Sequence, residues 1–169
     1  MRKYVVVISI LIAFYLDTVF FRLIGIRNFA PEALIALFVS LGVLMGGASA
    51  AAIGIGVGIL IDIVANRFVG PSAVYYAAAA LAGGAFYNKF YADNVIIPSI
   101  IAAVVTFLKE HISLMILLFA RGRLPSYVMT VLTHILPSAL LTGVLCLGIH
   151  TVLRAVIFSP QRRRDIDNR

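Results

Sequence analysis

The sequence predicts an all-α integral membrane protein with six transmembrane helices, and three observations predict it. Of 169 residues, 62% are apolar and only 12% charged, against about 45–50% and about 25% in an ordinary soluble domain. The mean hydropathy of +1.06 excludes a water-soluble globule or a disordered chain. Apolar runs recur along the whole chain, and at roughly 20 residues per span they amount to about six or seven crossings. The single cysteine, Cys146, can form no internal disulfide, so a disulfide-stapled secreted scaffold is excluded too.

The first span covers residues 4–21, behind Arg2 and Lys3. It ends in Phe20-Phe21-Arg22 rather than a small-x-small cleavage site, so it reads as a retained helix and not as a signal peptide. Residues 22–30 form a loop, and Pro31 suits the first turn of the next helix. From Ala33 to Ile61, 29 residues carry no charge. As one helix they would measure about 44 Å, against about 30 Å of hydrocarbon. Gly46-Gly47-Ala48-Ser49 offers a turn, which predicts a hairpin of two short spans over about 31–45 and about 49–65. Residues 66–71 turn the chain, 72–86 make an alanine-rich fourth span, and 88–94 a loop with Lys89 and Asp93. The fifth span, 95–119, is interrupted by Lys109-Glu110-His111, and the sixth lies within 126–158. Residues 1–160 thus form one membrane domain, and Pro160 begins a short basic tail, 161–169, with no linker or convincing repeat anywhere.

Six crossings put both ends on one side. With the ends inside, Arg2, Lys3, Lys89, Arg154, Arg162, Arg163, Arg164 and Arg169 are cytoplasmic, and Arg22, Arg27, Arg67, Arg121 and Arg123 are external. The excess favours cytoplasmic termini, although the internal loops alone point the other way. The net charge of +7 needs no nucleic acid, because a basic tail beside a membrane meets anionic lipid.

The third span carries Gly54, Gly58, Asp62 and Asn66 at four-residue spacing, one slowly drifting stripe that leads to Gly70. Glycine on such a stripe admits another helix at backbone distance, so this is a partner or helix-packing face. Asp62 must face protein, water or a cation. It either ties the 66–71 turn by accepting backbone N–H bonds or meets a ligand or partner. Lys109, Glu110 and His111 are adjacent in the fifth span, about 100° apart around the helix, so Lys109 and Glu110 are not expected to pair directly. Asp17 and His134 are candidate partners by type, which makes Asp17, Lys109, Glu110, His111 and His134 an intramembrane polar cluster. It serves either as an ion or proton relay or as a lock for the bundle. Pro137 is expected to kink the sixth span. Glu32 is favourably placed at a helix start, and nothing more is expected of it.

No metalloprotease, nucleophile-elbow or phosphate-loop motif occurs, and no residue pattern asks for a cofactor or metal. The chain therefore reads as a non-enzyme.

Gly58-Ile59-Leu60-Ile61-Asp62-Ile63, followed by Gly70-Pro71-Ser72-Ala73-Val74, resembles the rod-shape-determining protein MreD family. The likeness extends to the length, the basic start, the hairpin before the motif and His134-Ile135-Leu136-Pro137-Ser138 in the last span. Its specific part is residues 54–74. The resemblance implies a bacterial inner-membrane scaffold of the wall-elongation machinery that binds MreC. It also implies work beside MreB and the RodA–transpeptidase pair, without catalysis. It further implies a fold similar to the substrate-binding subunits of energy-coupling-factor transporters, and hence a second reading as a small-molecule-binding, vitamin-uptake subunit. Those subunits carry Ala-x-x-x-Ala in the first span, whereas Ser9 and Ala13 stand at that spacing here.

Overall fold

The computed structural model describes residues 2–23, 31–64, 70–87, 94–121 and 127–167, and among them there is helix and tight turn but no strand. Six helices follow in order. Helix α1, residues 2–23, is α-helical over Arg2–Tyr15, passes through a π turn at Leu16–Phe20 and closes with Phe21–Leu23. Then come α2 (Ala33–Met45), α3 (Gly47–Val64), α4 (Pro71–Gly84) and α5 (Ile96–Arg121). Helix α6, residues 127–167, starts with Tyr127–Thr130, has a π turn at Val131–Ile135 and continues over Leu136–Asp167. The segments Gly47–Val64, Ile96–Phe119 and Tyr127–Val156 are long and apolar enough to cross a membrane, and Tyr4–Phe20 and Ala33–Met45 are shorter apolar helices. The chain is a helical membrane protein.

Helix α2 is the centre of the fold. Every residue from Ala33 to Leu44 is buried, and α2 touches all five other helices. A helix apolar all round is the pattern expected of one enclosed by its neighbours. At about 1.5 Å per residue its 13 residues cover about 20 Å, less than the hydrocarbon core.

The joint between α2 and α3 is one residue. Gly46 has φ 94°, a region closed to most side chains. Its N–H still donates to Gly42 O at 3.0 Å and its carbonyl accepts from Ala50 N at 3.1 Å, so the corner interrupts few hydrogen bonds. The second helix of the hairpin therefore starts at Gly47, two residues before the start expected from sequence.

Helix α4 lies along both arms of this hairpin. It runs antiparallel to α3, with Gly47 beside Gly84, Gly54 beside Tyr76 and Gly58 beside Ala73. It runs with α2, where Phe38 stacks on Tyr76 (5.2 Å between centroids) and Gly42 meets the backbone of Ala80 and Gly84. Helices α5 and α6 pair antiparallel, with Gly143 packed against the Ser99 carbonyl at one end, where a Cβ would lie 3.1 Å from Ser99 O, and Tyr127 on His111 at the other. Helix α6 continues past Pro160 into the basic tail. Its backbone stays helical to Asp167, through a run of Gln and Arg that favours helix.

Candidate functional site

The polar interior is built around the start of α2. Four N–H groups at a helix start lack intrahelical partners, and inside a membrane protein water does not supply them. The π turn of α1 sets Asp17 against this end, with Oδ1 2.7 Å from Ala33 N and Oδ2 3.0 Å from Leu34 N. The carboxylate thus satisfies two donors and faces the positive end of the helix dipole. From α6, Thr142 Oγ1 accepts the N–H of Glu32 at 3.0 Å while donating to Ser138 O at 2.8 Å. The three helices are sewn together at one point.

The Glu32 side chain leads outward from this point and forms an ion pair with Lys109 of α5. Lys109 Nζ also lies 3.2 Å from Glu110 Oε1 and 5.8 Å from the centroid of the Tyr75 ring on α4. The expectation that Lys109 and Glu110 would not pair is corrected here. Neighbouring side chains leave a helix about 100° apart, but the flexible stem of lysine bends back once Glu32 draws the ammonium to that side.

Of the five residues grouped by sequence, the structure brings together Asp17, Lys109 and Glu110. His111 belongs to a separate contact: its Nε2 lies 2.5 Å from Tyr127 Oη, and its ring stacks on Phe107 at 5.6 Å. His134 sits exposed in the π turn of α6, just before Pro137. Pro137 lacks the N–H that would bond Thr133 O, and the π turn spans that position.

The second site is a smaller version of the first. Asp62, at 2% exposure, accepts the N–H of Gly70 at 2.8 Å and of Ser72 at 3.2 Å through Oδ2, and so caps α4. Of the two roles open to Asp62, the turn-tying one is therefore present. Gly54 and Gly58 face α4 within the chain, and a Cβ on Gly58 would collide with Ala73 Cα and N. Gly70 has φ 132°, so glycine is needed there for the backbone. Asn66 lies outside the described residues.

Glu32 and Thr142 are the site residues that sequence reading passed over. A signal for Glu32 existed: Lys109 lies in the middle of the fifth span and needs a carboxylate from another helix. Among the described residues, no three His, Cys, Asp or Glu side chains are grouped so as to hold a metal ion. Comparison of the chain with protein-family models, with curated proteins and with solved structures gives no match.

Proposed function

We propose that this chain is an MreD-type scaffold of the bacterial wall-elongation machinery. In this reading it crosses the inner membrane six times with both termini in the cytoplasm, and binds MreC beside MreB, RodA and the elongation transpeptidase. The observation that supports the reading is the unit made by the family-like residues. Gly58 lies against Ala73, Asp62 holds Gly70 and Ser72, and Pro71 opens α4. That spacing closes a hairpin of two helices.

Because α4 occupies the Gly54–Gly58 face, the span of MreC needs another surface. The opposite side of α3 carries Ala48, Ala52 and Gly56, all exposed and four residues apart, and a Cβ on Gly56 would have nothing within 4 Å. Close approach of a second helix there is sterically open. External arginines and the basic tail would meet lipid headgroups or cytoplasmic partners.

The test is purification of the tagged chain from a rod-shaped bacterium in mild detergent, with mass spectrometry of what accompanies it. Recovery of MreC, lost in Ala52→Leu and Gly56→Leu variants that insert and melt normally, is the expected result. Recovery instead of an ATPase module with a bound vitamin would replace the scaffold by the transport subunit.

A further inference from the structure

The carboxylates inside the bundle fall into two kinds. Asp17 and Asp62 each accept two backbone N–H bonds at a helix start, which satisfies a full negative charge locally. Glu32 and Glu110 have no such donors among the described contacts and share one cation, Lys109. The Tyr75 ring from α4 faces Lys109, Asp17 from α1 sits on the amides of Ala33 and Leu34 next to Glu32, and the Thr142 hydroxyl from α6 accepts the Glu32 N–H; none of them adds positive charge. Two carboxylates on one ammonium leave a net negative charge at the middle of α5, a depth at which an unbalanced charge is costly.

We propose that Glu32 and Glu110 hold one exchangeable proton between them, so that the triad is a neutral, proton-binding site inside the bundle. The proton sits on one carboxyl, the other carboxylate pairs with the charged Lys109, and no net charge remains. A second group on the same stripe points the same way. Thr106, one turn before Lys109 and Glu110 and fully buried, has a hydroxyl with no hydrogen-bond partner. Its unspent donor and acceptor stand one turn from Lys109 and Glu110 on the same helix.

Infrared difference spectra of the full chain in lipid nanodiscs at neutral pH test this through the carbonyl stretch of protonated carboxyl groups. The expected result is one deuterium-sensitive carboxyl band in the wild type, absent in Glu110→Gln and in Glu32→Gln, and doubled in Lys109→Met. Glu110→Gln keeps the Glu32–Lys109 pair and so decides the matter if Glu32→Gln does not fold. A wild type without the band overturns the proposal, as does a band that persists undiminished in Glu110→Gln.

Discussion

Asp17 Oδ1 lies 2.7 Å from the amide nitrogen of Ala33, so a carboxylate at the end of one helix closes the start of the next. Asp62 repeats the relationship 2.8 Å from Gly70 N; Pro71 opens that helix, whereas Pro31 lies two residues before the first residue of α2, outside it. Both capped helices are short, 13 and 14 residues. A short helix inside a membrane protein begins where neither headgroups nor water can take its free N–H groups, and a carboxylate from the preceding helix supplies the acceptors.

Loss of the α2 cap is therefore expected to be costly and graded. Asp17→Ala leaves two buried donors unpaired and should remove about 2 kcal/mol or more. Asp17→Asn retains one acceptor oxygen and should fall between. Melting in detergent followed by size-exclusion chromatography reads the order. Equal melting of all three would mean that the cap contributes nothing.

The glycines of α3 should respond to alanine according to what faces them. At Gly58 the new Cβ meets the Ala73 backbone and the two helices must part, a loss of about 3 kcal/mol or more by comparison with overpacked cores. At Gly54 the nearest atom is Tyr76 C at 3.1 Å, so a smaller loss is expected. Gly56 has nothing within 4 Å, and alanine there should gain up to about 1 kcal/mol from helix propensity. The order Gly56→Ala above wild type above Gly54→Ala above Gly58→Ala is the readout. Three equal effects would remove the close α3–α4 approach as a source of stability.

These contrasts also show where sequence carries information. Four-residue spacing announced the stripe of Gly54, Gly58 and Asp62, because helical periodicity alone puts those positions on one face. The corner near Gly46 was legible from an uncharged run too long for one span. Which partner took each charge was not legible. Asp17 meets a helix start 16 residues on, and Lys109 meets Glu32 across 77 residues. Such distances are closed only when five helices converge. The π turns at 16–20 and 131–135 leave no periodic trace, since each displaces the pattern by a single residue.

The ion pair between α2 and α5 should show the asymmetry of buried charges. Lys109→Met leaves the carboxylate of the triad without its cation and is expected to lose the most, though less than the about 3–5 kcal/mol of a stranded buried charge, because that group takes up a second proton. Glu32→Gln leaves Lys109 its contact with Glu110 and should lose less. Glu110→Gln, on the more exposed side, should lose least. Melting of the single variants and of Glu32→Gln/Lys109→Met together tests the coupling. Losses that simply add in the double variant would show that the two side chains do not act as a pair.

The Gly46 corner allows a test in which backbone conformation alone is at stake. The closest atoms to a Cβ there are those of the Tyr87 ring at 3.5–3.7 Å, an ordinary contact, so alanine has room. Its cost comes from φ 94° and ψ 143°, away from the left-handed helical basin that asparagine tolerates and near a region that is essentially glycine's alone. Gly46→Ala is expected to lose about 1–3 kcal/mol, and Gly46→Asn should do no better. Rescue by asparagine would place this residue in the left-handed basin instead. Wild-type stability in both variants would mean that the α2–α3 corner does not depend on glycine, and the hairpin would have to be held by α4 alone.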